Sequence, residues 1–568
     1  MGRQAWIRST AALALLVASA LGLQAQGGAA LTGTVSSTAE GKMEGVLVTA
    51  RKDGATFDVT VVSDAQGKYS FPRTHLKEAG KYAIKIRAVG FDLTSANTVD
   101  VDASKSATLD LTLDKAKDLS TQLNSAEWLA SVAGTDDQKS MVVRQIESCS
   151  YCHSLERIIK SKHTAEQFLP VINRMFRYYP DGTIAGTERP LRGRAVFHEK
   201  EAADMFEKMP SWGYAPGVKK TDLAAYLATI NMSGGKSLPT DLKPLPRPKG
   251  KATKVIITQY DLPRRDTVTH DSDVDSKGNV WYTDQSGFFL GRFEPKTGTF
   301  KEWPLPKPTK HTIGGGSDVQ LDNMDRPWFT VTHDNIPGEF GMIGMFDPKT
   351  EKYDFVDLGE PRYSQFIAKA KDGHLVLGGL KIDPVTKKLV DKFDYAKVPN
   401  DPGGTHMGYE PAMDSKGNWY ITDFGASYMI KIDAKTKAVN WIKTPTKFSE
   451  PRRGKMDSQD RFWFAEYTAD NIGMLDGNTN KITEYPTGIK FSGPYTASIP
   501  DAKGRVFSPA GAADRVFRLD PKSGEVIGYL MPTQDFDVKQ ATIDPTDNKT
   551  LWMGNERNAR LIKLEPLD

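Results

Sequence analysis

The chain has 568 residues, of which 39% are hydrophobic and 26% are charged, and its formal net charge is +4 at pH 7. This length predicts several domains. The nearly balanced charge disfavours nucleic acid and anionic membrane surfaces as partners. Since only two cysteines are present, a disulfide framework is excluded and a multi-cysteine metal cluster is not expected.

The N-terminus has the pattern of a leader. Arg3 and Arg8 precede an apolar stretch over 11–23, and small residues follow before Gln26. This predicts a Sec-type signal peptide over 1–25, cleaved after Ala25 or, as second choice, after Ala20. No later segment has the apolar length of a membrane helix, so we expect a periplasmic or secreted bacterial protein without a membrane span.

Residues 30–114 read as short alternating strands bounded by turns. The segment 64–71 reads D-x-x-G-x-Y-x-F, and it is followed by Gly80-Lys81-Tyr82 and by Gly90-Phe91. These motifs resemble the carboxypeptidase regulatory-like domains, which are transthyretin-like β-sandwiches. The resemblance implies a spacer or stabilising role, with docking or carbohydrate contact as the alternative.

The two cysteines belong to a single motif. Cys149, Cys152 and His153 form C-x-x-C-H, the attachment sequence for c-type haem, in which two thioether bonds hold the porphyrin and the histidine ligates the iron. A vicinal disulfide, a redox C-x-x-C and two unrelated thiols stay open as alternatives. The redox interpretation lacks a βαβ context, and a zinc site would need further ligands. Covalent haem c is therefore the predicted cofactor.

Residues 119–233 change to a helical period, with a helix before the motif and a final helix that carries Tyr226-Leu227. This pattern resembles class I cytochrome c, a small all-α domain. The resemblance implies a methionine as second iron ligand, from a loop before the last helix, so the metal ligands would be His153 and Met209. Met175 is the second choice, and His163 or His198 would give two-histidine ligation. Residues 234–252 follow as a solvated, Pro-rich linker.

The C-terminal half repeats. Aspartates at 275, 322, 414, 457, 501 and 544 open equivalent turns with spacings of 47, 92, 43, 44 and 43 residues, and one degenerate copy lies within the longest spacing. Four strands at this period predict a β-propeller blade. We expect a seven-bladed propeller over 253–568, in which the strand at 258–263 completes the last blade and closes the ring. The fold class is thus multidomain and mainly β.

The blades resemble those of virginiamycin B lyase, also called streptogramin lyase. That resemblance implies elimination with a histidine base in an E-P-H-G segment, a nearby glutamate and Mg²⁺. Here the segment reads Glu450-Pro451-Arg452-Arg453 and is followed by Glu466. Arginine stands where the base would be, and its permanent charge makes proton abstraction unfavourable.

Positions equivalent in every blade should line the mouth of the central channel. The members of this set are His270, Ser317, Tyr409, Arg452, Thr496 and Lys539. The candidate catalytic residues are His270, Tyr409 and Arg452 of this set, together with Glu450, His406 and Glu466. With Glu410 beside them, such a cluster suits an anionic or carbonyl-bearing small molecule.

The favoured function is an exported c-type haem protein in electron transfer, an oxidoreductase or redox subunit with a periplasmic electron-transfer partner. Its propeller would hold a small molecule or a partner. The alternatives are a streptogramin lyase-like C–O lyase with an appended cytochrome, and a non-catalytic binding or scaffold protein.

Overall fold

A computed structural model describes the chain except for residues 1–27, 145–148, 150–152, 178–217, 285–288, 307–317, 331–341, 359–365, 394–399, 404–405 and 407. The expected signal peptide and Cys152, Met209, His198 and Ser317 lie outside the described residues, as does the side chain of Met175. Within the described residues, no helix combines the length and the apolar character needed to cross a bilayer.

The N-terminal region is a β-sandwich. Its strands are β1 (Ala29–Ser37), β2 (Gly41–Lys42), β3 (Leu47–Lys52), β4 (Phe57–Val62), β5 (Lys68–Pro72), β6 (Gly80–Arg87), β7 (Phe91–Leu93), β8 (Thr98–Val101), β9 (Ala107–Thr108) and β10 (Leu111–Lys115). Strand β1 pairs with β2, β5, β9 and β10, whereas β4, β3, β6 and β8 form the second layer. Alternate residues of each strand, such as Tyr69 and Phe71, fill the core between the layers.

All α-helices of the described residues lie between 125 and 230. They are α1 (Ser125–Ser131), α2 (Asp136–Val143), α3 (Glu156–Ile159), α4 (Ala165–Arg177) and α5 (Lys220–Ile230). A capping box starts α1, since Asn124 and Glu127 exchange side-chain and backbone hydrogen bonds. A second capping box joins Thr164 and Gln167 through hydrogen bonds of 2.9 and 3.4 Å. The helices share one apolar core around Trp128.

Most of residues 234–252 are exposed, and several of them also bind neighbouring regions. The backbone N–H of Leu245 donates to Glu127 Oε1 at 2.8 Å, and Arg247 Nε donates to the carbonyl of Glu44 at 3.0 Å. The composition of the segment does not indicate these hydrogen bonds, because the partners come from the helical region and from the sandwich.

The C-terminal region consists of seven consecutive antiparallel sheets, the arrangement of a β-propeller. Blade 1 contains β12 (Thr269–Val274), β13 (Val280–Asp284), β14 (Phe289–Glu294) and β15 (Thr299–Pro304). Blade 2 contains β16 (Val319–Leu321), β17 (Pro327–Thr330), β18 (Met342–Asp347) and β19 (Lys352–Asp357). Blade 3 contains β20 (Ala368–Lys369), β21 (Leu375–Leu377), β22 (Leu380–Asp383) and β23 (Lys388–Lys392). Blade 4 contains β24 (Gly408–Met413), β25 (Trp419–Asp423), β26 (Tyr428–Ile432) and β27 (Val439–Lys443). Blade 5 contains β28 (Pro451–Met456), β29 (Arg461–Glu466), β30 (Asn471–Asp476) and β31 (Ile482–Pro486). Blade 6 contains β32 (Val506–Ala510), β33 (Arg515–Asp520) and β34 (Glu525–Leu530).

Blade 7 closes the ring with a strand from the other end of the propeller. It contains β35 (Ala541–Ile543), β36 (Leu551–Asn555), β37 (Arg560–Pro566) and β11 (Val255–Asp261). The predicted closure is confirmed, because β11 pairs with β37 from Val255 opposite Pro566 to Asp261 opposite Arg560. The other edge of β11 pairs with β4 of the sandwich, so one eight-stranded sheet runs through both regions.

The repeated aspartates explain the blade period. Asp275 Oδ1 accepts the N–H groups of Lys277 and Asn279, and its Oδ2 accepts the indole N–H of Trp281 at 3.1 Å. The same aspartate–indole hydrogen bond joins Asp322 to Trp328, Asp457 to Trp463, and Asp544 to Trp552. Each tryptophan is buried, so these residues are blade packing, as expected.

Candidate functional site

The mouth residues lie where the innermost strand of each blade begins. The first residue of that strand pairs with the last residue of the next strand, as with Thr269 and Asp284 or Pro451 and Glu466. The loops before each first strand and after each second strand therefore surround one face of the ring, the mouth face. Described side chains from several blades converge there, and each of them is buried.

The first group at the mouth is a set of titratable side chains. His270 Nδ1 lies 3.0 Å from Asp271 Oδ1, and its Nε2 lies 4.0 Å from Glu556 Oε1. Lys539 Nζ donates to Asp537 Oδ1 at 2.6 Å and lies 3.6 Å from Glu556 Oε2. The predicted mouth residues His270 and Lys539 are thus brought together by Glu556, which comes from the loop after β36.

Burial sets the protonation of this group. Burial and the positive charges of Arg453 and Lys539 hold the pKa of His270 well below its ordinary value. Burial also raises the pKa of Glu556 to about 8. At neutral pH the imidazole is therefore neutral, and it lies beside an acid whose pKa is raised towards the neutral range.

The second group is an aromatic cage around Arg452. The guanidinium carbon lies 3.9 Å from the ring centroid of Tyr495, 4.2 Å from Tyr467, 4.5 Å from Phe424 and 5.8 Å from Tyr409. The hydroxyls of Tyr409 and Tyr495 are 2.8 Å apart. The cage stabilises a cation through the negative faces of the rings, so Arg452 stays charged at the mouth.

One residue deeper, Arg453 crosses the axis of the ring. Its Nη1 donates to both oxygens of Asp271 at 2.6 and 2.8 Å, and its Nε donates to Glu410 Oε2 at 2.8 Å. Its Nη2 lies 3.3 Å from Asp318 Oδ2. Burial and the Asp271 carboxylate raise the pKa of Asp318 well above its usual range, whereas the charge of Arg453 acts in the opposite direction.

Three predicted site residues lie apart from this cluster. Glu466 accepts from Asn471 Nδ2 at 2.9 Å on the neighbouring strand, because it ends the second strand of its blade rather than beginning the first. His406 Nδ1 lies 2.6 Å from Asp423 Oδ2, and its ring packs 4.6 Å from Trp441 on the outer strand. Glu450 Oε2 accepts from Thr468 Oγ1 at 2.6 Å at the rim. Glu466 and His406 thus lie outside this cluster, and their catalytic role stays a prediction.

Apart from Glu410, the residues one position beyond the mouth residues were not among the candidates from the sequence. The position that follows each mouth residue carries Asp271, Asp318, Glu410, Arg453, Ala497 and Gln540. Three acids and one arginine at equivalent positions are a periodic signal that could have been found. Phe366 could not, because its blade lacks the tryptophan that sets the register; its ring lies 4.4 Å from Tyr409 and 6.4 Å from His270.

The described mouth does not fit the Mg²⁺ that the lyase resemblance implies. The carboxylates of Asp271, Asp318 and Glu410 are bound to the guanidinium of Arg453, which occupies the place a divalent cation would need. Among the described residues, no group of three or more His, Cys, Asp or Glu side chains is arranged to hold a metal ion.

The C-x-x-C-H segment lies in the helical region. His153 Nδ1 donates to the carbonyl of Ser154 at 2.9 Å, so the neutral ring presents Nε2 as its acceptor nitrogen. Burial lowers the pKa of His153 to about 4, which keeps the ring neutral at pH 7. Cys149 is half-buried against the helical core, and its N–H donates to the carbonyl of Val142 at 3.0 Å.

Residues 30–114 match the family described as carboxypeptidase regulatory-like domain, with the boundaries expected from the motifs. No curated protein sequence matches the chain.

Among solved structures, virginiamycin B lyase from Staphylococcus aureus is 18% identical with a TM-score of 0.46, over 55% of this chain and 99% of that protein. A streptogramin B lyase is 15% identical with a TM-score of 0.47, over 56% of this chain and 99% of that protein. The WD40 repeats of RRP9 are 7% identical with a TM-score of 0.43, over 55% of this chain and 97% of that protein. At these identities, the similarities to solved structures carry no information on activity.

Proposed function

We propose that this chain is an exported c-type haem protein of electron transfer, in which the propeller mouth binds an anionic or carbonyl-bearing small molecule. Haem c would be held by Cys149 and Cys152, with His153 and Met209 as the ligands of its iron. Bound haem supplies one-electron exchange between two iron oxidation states. A periplasmic electron-transfer partner would then supply or accept the electrons.

The observation that carries this proposal is the state of His153. A histidine that ligates a metal usually donates its other ring N–H to a carbonyl or carboxylate, which fixes the tautomer. The hydrogen bond from Nδ1 to Ser154 does this, and it leaves Nε2 as the acceptor nitrogen. The residues that the structure describes around C-x-x-C-H therefore fit the group that the motif implies.

The mouth contributes charge and proton exchange. Arg452 and Lys539 offer two cations to an anionic or carbonyl oxygen, while His270 and Glu556 can exchange a proton with the bound molecule. This geometry does not support the lyase alternative. The aromatic cage favours the charged form of Arg452, so Arg452 cannot serve as a base.

The test begins with the full chain produced in a strain that matures cytochromes c. We expect a haem absorption spectrum that persists after denaturation, and a mass increase of one haem. Cys149→Ser with Cys152→Ser should remove both, whereas Lys416→Ser, on an exposed turn, should not. Colourless protein of unmodified mass would refute the proposal. A screen of small carboxylates and carbonyl compounds for haem reduction would then identify the substrate class.

A further inference from the structure

The loops that lead to the axis of the propeller in blades 5 and 6 share one sequence motif. Residues 444–451 and 487–494 both read T-x-x-K-F-S-x-P. The proline that ends the motif pairs with the last residue of β29 in blade 5 and with the last residue of β32 in blade 6. The two loops therefore occupy equivalent places on the mouth face of neighbouring blades.

The phenylalanine of each motif contacts the helical region. Phe491, in the blade 6 loop, is buried in the same apolar core as Trp128 of α1. The guanidinium carbon of Arg144, which follows α2, lies 4.1 Å from the ring centroid of Phe448 in the blade 5 loop. The helices thus contact the same position of two equivalent loops.

Blades 6 and 7 add hydrogen bonds to the helical region. Asn124 Nδ2 donates to the carbonyl of Ala513 at 3.1 Å, in the loop after β32. Gln534 Nε2, from the loop that precedes β35, donates to the carbonyl of Leu123 at 3.0 Å. Together with the two phenylalanine contacts, these bonds anchor the helical region over blades 5 to 7.

Both phenylalanines have a left-handed backbone conformation. The φ angle is +53° at Phe448 and +60° at Phe491, a region that is unfavourable for a bulky side chain. In blade 6 the carboxylate of Asp470 holds this conformation, because it accepts the N–H groups of Phe491 and of the two following residues at 2.6, 2.7 and 3.2 Å. Such conformations persist only where the surrounding structure imposes them, and they cluster at functional sites. The loops therefore hold the two rings at a local cost in backbone stability.

The same loops carry Arg452 and one ring of its aromatic cage. Arg452 and Tyr495 each follow the proline of their motif. They contact each other, since the guanidinium carbon lies 3.9 Å from the ring centroid of Tyr495. A second ring of the cage packs on the blade 6 loop, where a Cβ atom placed on Gly493 would lie 3.1 Å from Cε2 of Tyr467. The positions of the two loops therefore determine the geometry of the cage.

We propose that Phe448 and Phe491 are positioning residues, through which the helical region holds Arg452 and Tyr495 together in the cage. Three residues separate each phenylalanine from its cage residue, and the last of them is a proline, which restricts the backbone. A shift of either ring therefore moves the cage residue as well. The consequence for a bound molecule rests on the proposed function, because the cation that would meet an anionic or carbonyl oxygen is in place only while the helices hold the loops.

The test is the reaction of Arg452 in the full chain with phenylglyoxal, an arginine reagent, followed by peptide mass spectrometry. Arg452 is fully buried, so it reacts only when the cage opens. Phe448→Ala combined with Phe491→Ala should raise its modification rate about tenfold. The conservative pair, Phe448→Tyr combined with Phe491→Leu, should keep the original rate because the contacts with the helices are retained.

The matched control is Phe300→Ala combined with Phe355→Ala. These two rings are partly buried on the outer strands β15 and β19, and their loss should leave the rate at Arg452 unchanged. Arg453 is an internal control, since it is also buried but is held by carboxylates from three other blades. A rise at Arg452 while Arg453 stays protected reports opening of the cage within a folded ring.

A second variant lies outside the propeller. Arg144→Gln removes the cation over Phe448 and keeps both phenylalanines, so it should raise the rate at Arg452 about threefold. Lys160→Gln, which removes an ion pair within the helical region, should not. If the double alanine variant also exposes Arg453, the ring itself has opened, and the result for Arg144→Gln decides.

An unchanged rate at Arg452 in the double alanine variant would overturn the inference, as would an equal rise in the outer-strand control. Phenylglyoxal modification needs neither haem nor a molecule at the mouth. Colourless protein would therefore overturn the proposed function and leave this inference standing, whereas failure of the inference would leave the haem proposal intact.

Discussion

Arg453 of blade 5 binds Asp271 of blade 1 across the propeller axis, with Nη1 at 2.6 and 2.8 Å from the two carboxylate oxygens. The same side chain binds Glu410 of blade 4 and Asp318 of blade 2. One guanidinium thus links four blades that are far apart in sequence, and all four charged groups are buried.

Replacing this arginine should destabilise the ring. Arg453→Met would leave three buried acids without their cation, and we expect a loss of about 3–5 kcal/mol in the free energy of unfolding. Lys301→Met is the control, because Lys301 pairs with Glu351 and both side chains are about half exposed, so its loss should cost about 0–1 kcal/mol. Urea unfolding followed by tryptophan fluorescence measures both, and equal losses would contradict the axial role.

The blade turns should depend on their buried carboxylates. Asp457→Ala removes the acceptor for the N–H groups of Gln459 and Arg461 and for the indole of Trp463 at 2.9 Å. Because a buried indole N–H is then unsatisfied, we expect a loss of about 1–3 kcal/mol. Asp433→Ala, in an exposed turn without an indole, should cost less. A thermal melt of each variant distinguishes them, and a smaller loss for Asp457→Ala would contradict this reading.

Acid should weaken the junction between the sandwich and the propeller. Burial opposes ionisation of Glu565, yet hydrogen bonds from His75 and Lys563 outweigh it and lower the pKa of this carboxyl to about 2. A depressed carboxyl pKa stabilises the fold above the unfolded value of 4.5, and this contribution is lost as the pH falls towards 2. The full contribution is about 3 kcal/mol. Unfolding at pH 7 and at pH 3 should show a smaller difference in Glu565→Gln than in the unmodified chain; an identical difference would refute it.

Removing the sandwich should make the propeller self-associate. Deletion of 30–114 exposes the edge of β11 that now pairs with β4 through four residues, Ile257 to Tyr260. Unpaired strand edges bind further strands. Light scattering after size exclusion should show oligomers for the truncated chain and not for the intact chain at equal concentration. A monomeric truncated chain of unchanged melting temperature would show that this pairing is dispensable.

Periodic features could be predicted from the sequence, whereas features made by the closed ring could not. The aspartate–tryptophan turns and the closure by β11 repeat a local pattern, so alignment of the copies reveals them. The partners of Arg453 come from separate blades, and they meet only because the ring closes. The side chain of Glu466 binds Asn471 on the neighbouring strand, and the sequence of its segment does not indicate that partner.

The helical region illustrates a second limit. Its capping boxes depend on neighbouring residues and were visible in the sequence, as at Thr164. Its position over blades 5 to 7 depends on contacts such as Arg144 with Phe448, between residues about 300 positions apart in the chain. Nothing in either segment alone indicates the other.

The guanidinium of Arg453, which spans the axis, also affects the route by which a molecule reaches the mouth. Arg453 binds Asp271 and Asp318 across the axis, one residue deeper than the mouth residues. A molecule that binds at the mouth would therefore arrive and leave on the mouth face.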